Sequence, residues 1–308
     1  MQGRETWPAG PLLARGDAVA VVAPASAPDE GRLAAGLEVL SRWGLNPMLL
    51  WEPAQKDEYL AAPDDVRADC LSRALAVPAF SAVWAARGGY GSGRIAGRIR
   101  WPQAGNPGVP GPDGGNRLPL LVGFSDLTLL FGLPARTGCR CLHSPNVTTL
   151  PLVDRDSLDA LAALLFEGAL PDYGRLQTVC PGTGEGPLLP MNLSLLASTM
   201  GTDLEADASG RILVIEEVHE APYRVDRLLR QVAAARWFPS LAGLVVGDLD
   251  KALDSPLVRA TLGSLARDAR IPCVTGFPMG HGERNFPVPV GSRARLDAGE
   301  GRLSLVAS

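Results

Sequence analysis

Three short apolar runs set the main limit on what this chain can fold into: AVAVVA (18–23), FSAVWAA (80–86) and LPLLV (118–122). Each has strand length and ends in a loop of small or turn-forming residues. Amphipathic helices lie between them. One covers 30–43, with Leu33, Leu37 and Leu40 on one side, and stops at Gly44. Pro47 to Leu50 starts another short strand, and 64–76 is a second helix carrying Val66, Cys70, Leu71 and Leu75. A further helix follows Ser125. Strands and helices that alternate through loops this short predict a parallel, doubly wound α/β sheet. In such a sheet the loops at the carboxyl ends of neighbouring strands share one crevice, so chemistry is sought there.

A looser pattern follows. A helical run at 154–167 leads into a Gly/Pro-rich strand region at 170–190, read as the crossing to a second domain. Met191 to Met200 reads as a helix ended by Gly201, RILVIEEV (211–218) as a strong strand, and Ala221 to Ala235 as a helix with Pro222 in its first turn. LAGLVVGDL (241–249) is a strand, 256–267 a helix and PCVTG a strand, before a terminal hairpin around Gly299 to Gly301. The expected division is a nucleophile domain at 1–150, a crossing at 151–185 and a second domain at 186–308. Residues 101–117 (WPQAGNPGVPGPDGGNR) have no periodicity and read as an exposed, variable loop.

Composition narrows the function classes. The chain of 308 residues is 46% hydrophobic and 20% charged, ordinary for an enzyme-sized globular protein. A net charge of −4 supplies no basic face for nucleic acid. No apolar stretch reaches membrane-span length, and the start MQGRETWPAG lacks a signal-peptide core. The five cysteines are odd in number and loosely spaced, as in a reduced, cytoplasmic protein. There is no HExxH motif, and three scattered histidines make a poor ligand set, so neither a metal nor a cofactor is expected.

Ser125 lies in LPLLVGFSDLTLLFGL, at the junction of a strand and a helix. That setting suits a nucleophile whose backbone neighbours aim N–H groups at whatever the hydroxyl attacks; it equally suits a helix cap. Glu216 and Glu217 end an apolar strand, where a carboxylate needs a partner: either the Arg/Tyr-rich helix that follows or a histidine that it orients. His281 stands between Gly280 and Gly282, which keep bulk away from its ring. His143, in CLHSPNV, ends a strand that can line the same crevice, whereas His219 reads as a surface group. The run Arg87-Gly88-Gly89-Tyr90-Gly91 can form a concave nest of N–H groups, for a phosphate or for half of an oxyanion hole.

Taken in order, these segments resemble the LD-carboxypeptidase family of serine peptidases, which includes murein tetrapeptide carboxypeptidases and microcin C immunity peptidases. The likeness runs from AVAVVAPAS through DEYLAAPDDVRADCL, AARGGYGSGRI, VGFSDLT, CLHSP and MNLSLLASTMGT to ILVIEEVHEAPYRVDRLLRQ and GFPMGHGERNFPVPVG. It implies a Ser-Glu-His triad of Ser125, Glu216 and His281. It also implies an oxyanion hole from the N–H groups of Asp126 and Gly89. The fold it implies is a Rossmann-like N-terminal parallel-sheet domain and a smaller C-terminal α/β or barrel-like domain that supplies Glu216 and His281. The substrate implied is a murein tetrapeptide losing D-alanine or, alternatively, a microcin C-like peptidyl or aminoacyl nucleotide; the protein is expected to be a homodimer. Gly88, His143, Asn192 and the cations Arg87 and Arg284 are candidate substrate contacts. The chain departs from the family in having His143-Ser144-Pro145 for HGP, Pro190-Met191-Asn192 for GGN and Glu217 for aspartate.

Overall fold

The computed structural model describes residues 7, 10–52, 57–102, 109–110, 116–133 and 139–306. The first half runs β1 (Ala18–Val22), α1 (Glu30–Arg42), β2 (Asn46–Leu49), α2 (Asp64–Ala76), β3 (Ala82–Ala85), α3 (Ser92–Ile95), β4 (Val109–Pro110), β5 (Asn116–Arg117), β6 (Leu120–Gly123), β7 (Cys141–His143) and α4 (Arg155–Glu167). The second half runs β8 (Gln177–Cys180), β9 (Thr183–Asn192), α5 (Leu193–Thr199), β10 (Ile212–Glu216), α6 (Pro222–Ala234), β11 (Gly243–Val246), α7 (Pro256–Ala269), β12 (Cys273–Thr275), β13 (Val288–Pro289), β14 (Arg293–Asp297) and β15 (Arg302–Leu305).

The first sheet has six strands in the order β13-β7-β6-β3-β1-β2, parallel except for β13. The chain starts near one edge, pairs β2 outward, then reverses through β3, β6 and β7. That reversal puts a crevice at the carboxyl ends of β1 and β3, where doubly wound sheets bind their ligands. Both faces are covered. Val19, Val21, Trp84, Val122 and Leu142 pack with Leu40 of α1 and Leu161 of α4 on one side. Ala20, Val83, Ala85 and Leu121 pack with Leu71 and Leu75 of α2 on the other. A fully buried leucine contributes about 1.5–3 kcal/mol, far more than strand propensity supplies in runs of this length. Two-sided burial also explains why the strands read as continuous apolar runs rather than alternating ones. Asp29 and Asp154 cap α1 and α4, accepting from Arg32 N at 2.9 Å and Ser157 N at 2.8 Å.

The second sheet has seven strands in the order β15-β14-β9-β10-β11-β12-β8. β9 to β12 are parallel; at the flanks β14 pairs antiparallel with both β9 and β15, and β8 pairs antiparallel with β12. Leu213, Ile215, Leu244 and Val246 face α5, α6 and α7. Ile212, Val214, Val245 and Val274 face inward against Leu296, Phe277 and Met279. One face is therefore covered by helices and the other by the sheet's own flanking strands and loops, which gives a curled, half-barrel-like domain.

Three details differ from the sequence reading. Met191 and Asn192 are the end of β9, in register with Ile215 and Glu216, and the helix starts only at Leu193; Asn192 is its cap, accepting from Leu195 N at 3.1 Å. The segment Ser125–Gly132 is a 3₁₀ helix, tightened where the Thr128 hydroxyl donates to Ser125 O at 2.7 Å. Within 101–117, residues 109–110 and 116–117 form an antiparallel ladder, and most of the remainder lies outside the described residues. Among the described residues no helix is long and apolar enough to cross a membrane.

Candidate active site

The turn between β6 and the 3₁₀ helix is held from three sides. Gly123 has φ +157°, and a Cβ there would fall 2.6 Å from Leu127 Cδ2, 2.7 Å from Asn146 Oδ1 and 3.0 Å from Ala85 Cβ, so only glycine fits. The Asn146 amide then grips Phe124, accepting from its N–H at 3.2 Å and donating to its C=O at 3.4 Å. Ser125 follows with φ +62°, in the left-handed region, which costs a serine about 1–2 kcal/mol. A strained non-glycine residue of this kind is held by its surroundings, and here the strain turns the hydroxyl out of the packed layers.

The hydroxyl meets His281, which the second domain supplies. Ser125 Oγ lies 3.0 Å from His281 Nε2, and His281 Nδ1 lies 2.6 Å from Glu216 Oε2. Glu216 is wholly buried at the end of β10, and the His281 side chain keeps 21% of its surface exposed. Phe124 tilts against the His281 ring at a centroid distance of 4.8 Å.

Other groups fix the acid and the base. Asn192 Nδ2 donates to Glu216 Oε1 at 3.2 Å and to Glu217 Oε1 at 3.1 Å. Glu217 also accepts from Ser194 N at 2.8 Å and Val218 N at 2.9 Å. Asp248, after β11, ties down the His281 loop: Oδ2 accepts from Gly282 N at 3.1 Å, and Asp248 N donates to Met279 O at 2.8 Å. A Cβ on Gly280 would sit 2.5 Å from Asp248 Cβ, and one on Gly282 would sit 2.8 Å from Asp248 Oδ2. The two glycines beside His281 therefore make room for Asp248.

The loops after β1 and β3 close the opposite wall. A Cβ on Gly88 would lie 2.7 Å from Ser125 Cβ, 2.8 Å from Ser125 Oγ and 3.3 Å from Asp126 N. Gly89 has φ +100° and backs onto Ser26 and the Tyr59 hydroxyl. Ser26 Oγ accepts from Tyr90 N at 3.0 Å, and Ser26 N donates to Gly88 O at 3.2 Å. The buried Arg67 guanidinium donates to Ala62 O at 2.9 Å, Gly91 O at 3.0 Å and Pro24 O, so one side chain clamps three loops. The Asp126 carboxylate is buried and turned away, accepting from Ser92 N at 2.7 Å; burial raises its pKa. Its N–H and that of Gly89 donate to no acceptor among the described residues.

The remaining candidates fall differently. Arg87 donates to Ala27 O at 2.6 Å and covers the half-exposed Tyr59 ring at 5.8 Å, beside Gly88. Arg284 sits over Phe286 at 5.2 Å and pairs with Asp154 at 3.6 Å. His143 is wholly buried against Phe124 and Phe131, so its ring does not reach the crevice as the sequence suggested; burial, with His281 adding to it, pushes its pKa down to about 3. Its place on an inner strand accounts for the burial, because His143 pairs with Gly123 of β6 on one side and, antiparallel, with Val288 of β13 on the other. His219 is exposed. Among the described residues no cluster of His, Cys, Asp or Glu has the makings of a metal site. Sequence reasoning missed Asn146, Asp248, Thr128 and Arg67, which act through neighbours distant in sequence and carry no local motif.

Residues 19–144 match the LD-carboxypeptidase N-terminal domain and residues 185–296 the LD-carboxypeptidase C-terminal domain. The chain belongs to the LD-carboxypeptidase family. It is 35% identical over 306 residues to a putative carboxypeptidase of Streptomyces coelicolor, covering 95% of this chain and 94% of the relative. It is 33% identical to a probable murein peptide carboxypeptidase of Bacillus subtilis, covering 94% and 91% of the two chains. It is 31% identical to a murein tetrapeptide carboxypeptidase of Pseudomonas aeruginosa, covering 91% and 92%. The solved muramoyltetrapeptide carboxypeptidase of Oxalobacter formigenes overlays with TM-score 0.75 at 27% identity, covering 94% of this chain and 97% of that one. The microcin C7 self-immunity protein in complex with aspartyl sulfamoyl adenosine overlays with TM-score 0.81 at 19% identity, covering 98% and 99%. Family membership and the Ser-His-Glu arrangement together make the chain a serine-type hydrolase.

Proposed function

We propose that Ser125 is the nucleophile, His281 its general base and Glu216 the residue that orients the imidazole. The observation that carries this reading is the unbroken relay of 3.0 and 2.6 Å from Ser125 Oγ through His281 to a wholly buried carboxylate. His281 Nε2 takes the hydroxyl proton as Ser125 Oγ bonds to the scissile carbonyl carbon. The Gly89 and Asp126 N–H groups receive the oxyanion. His281 then returns its proton to the leaving amine, and water, deprotonated by the same ring, releases the acyl group from Ser125.

Two predictions follow from this wall and this base. A methyl at Gly88 presses on Ser125 Oγ itself, so Gly88→Ala is expected to lower kcat/KM about 100-fold, the effect of a displacement near 1 Å. Steady-state kinetics on a folded variant checks this. Burial on its own would lower the pKa of His281, but the Glu216 charge and hydrogen bond, backed by Glu217 and Asp248, hold it above its ordinary value. The base must be neutral to act, so kcat/KM is expected to rise with pH through a midpoint above the ordinary histidine value of about 6.5. A pH–rate profile with its acid limb below that value contradicts the assignment.

The substrate is a small peptide or a peptidyl nucleotide. We infer a murein tetrapeptide cleaved at the bond before its terminal D-alanine, a reading supported by a probable murein peptide carboxypeptidase and a murein tetrapeptide carboxypeptidase, each above 30% identical, that align over more than nine-tenths of the chain. The higher overlay on the microcin C7 self-immunity protein favours a second reading, an aminoacyl or peptidyl nucleotide cleaved by the same triad. Arg87 and the Tyr59 hydroxyl, beside Gly88 and Gly89, are the proposed contacts for the anionic end of either substrate. The test offers purified protein a murein tetrapeptide and an aminoacyl sulfamoyl adenosine, with Ser125→Ala as blank. D-alanine release supports the first reading, sulfamoyl nucleoside release alone supports the second, and neither from folded protein contradicts both.

A further inference from the structure

The triad does not end at Glu216. Glu216 Oε1, the oxygen that His281 does not use, accepts from Asn192 Nδ2 at 3.2 Å. The orientation of that amide is fixed, because Asn192 Oδ1 accepts from Leu195 N at 3.1 Å and leaves only the NH2 to face the carboxylates. Asn192 N donates to Thr128 Oγ1 at 3.2 Å, and Thr128 Oγ1 donates to Ser125 O at 2.7 Å. From Ser125 Oγ through His281, Glu216, Asn192 and Thr128, the hydrogen bonds return to the carbonyl of Ser125.

We propose that Thr128 and Asn192 are positioning residues that close the triad into a ring and latch the two domains in working register. This rests on reading Ser125, His281 and Glu216 as the triad. Ser125 and Thr128 belong to the segment after β6, while Asn192, Glu216 and His281 belong to the second sheet and its loops. The ring crosses between domains at only two places, Ser125–His281 and Thr128–Asn192. The β13–β7 pairing already joins the two halves at a distance from the serine, and the second crossing bond of the ring fixes the angle as well as the distance at the serine itself. The latch is dry: Thr128 is fully buried and Asn192 nearly so. Its hydroxyl must accept and donate at once, which valine, of the same shape, cannot do. The segment's 3₁₀ geometry serves the latch, since Thr128 reaches the carbonyl three residues back.

The test is the rate at which a fluorophosphonate labels the serine: Ser125 Oγ bonds to phosphorus, fluoride leaves and His281 takes the proton. This readout needs no amide substrate, so an error in the assigned substrate does not touch it. Thr128→Val is expected to label at least ~10-fold more slowly than wild type, a fraction of the ~100-fold that a 1 Å misplacement costs. Thr128→Ser, which keeps the hydroxyl, is expected to label within ~3-fold of wild type, the scatter of a bond re-formed with small changes in geometry. Thr128→Ala is measured beside them in case valine prevents folding, and is expected to be as slow as valine. A folded Val or Ala variant labelled at the wild-type rate overturns the latch, as does a Ser variant as slow as Val. A wild-type protein left unlabelled at Ser125 removes the triad and the latch together.

Discussion

Ser125→Ala is expected to lower amide hydrolysis at least about 10³-fold while leaving the fold intact. The loss is large because no other hydroxyl can take its place: Gly88 packs against the Ser125 side chain, and Phe124 and His281 fill the adjoining space. The fold survives because the left-handed turn is set by Gly123 and by the Asn146 grip on Phe124, neither of which uses the serine hydroxyl. Alanine keeps the backbone strain at φ +62°, whereas Ser125→Gly removes it. The glycine variant should therefore be equally inactive yet about 1 kcal/mol more stable. Thermal unfolding beside rate measurements checks both halves, and an alanine variant with more than a few per cent of the wild-type rate contradicts the role of Ser125.

Glu216→Gln is expected to cost about 10³- to 10⁴-fold in kcat with little loss of secondary structure. The two carboxylate oxygens have different donors, His281 Nδ1 on Oε2 and Asn192 Nδ2 on Oε1. A glutamine can present oxygen to only one of them. With its oxygen toward His281, its NH2 faces the Asn192 NH2; turned over, its NH2 faces Nδ1 and forces the ring into the tautomer that protonates Nε2. Neither conflict can be relieved by water at a site with no exposure. Circular dichroism with steady-state kinetics checks the split, and a glutamine variant within 10-fold of wild type contradicts the orienting role of Glu216.

The legible parts of the sequence were those encoded locally. The doubly wound first sheet followed from AVAVVA, FSAVWAA and LPLLV with amphipathic helices between them, and the apolar run RILVIEEV marked β10. Ser125 and Glu216 stand at element ends and His281 between two glycines, but local pattern left their roles open, and it was the resemblance of the ordered motifs that joined them as a triad. Met191 and Asn192 were misread as helix because MNLSLLASTM carries helical spacing throughout, and only pairing with β10 extends β9 through Asn192. His143 looked like a crevice residue until the arrival of β13 from the far end of the chain buried it. Arg67, Thr128 and Asp248 were silent for the same reason: each has a partner on another loop, Gly91, Asn192 and Gly282 respectively, 24 to 64 residues away, where no local pattern records it.

The proposed chemistry rests on one serine, strained into the crevice and served by a histidine and a glutamate from the other domain. Treating the native protein with a fluorophosphonate and mapping the adduct by peptide mass spectrometry puts this to the test. A single adduct on Ser125, lost in His281→Ala, is expected. An adduct on any other residue, or labelling that persists at the wild-type rate without His281, contradicts it.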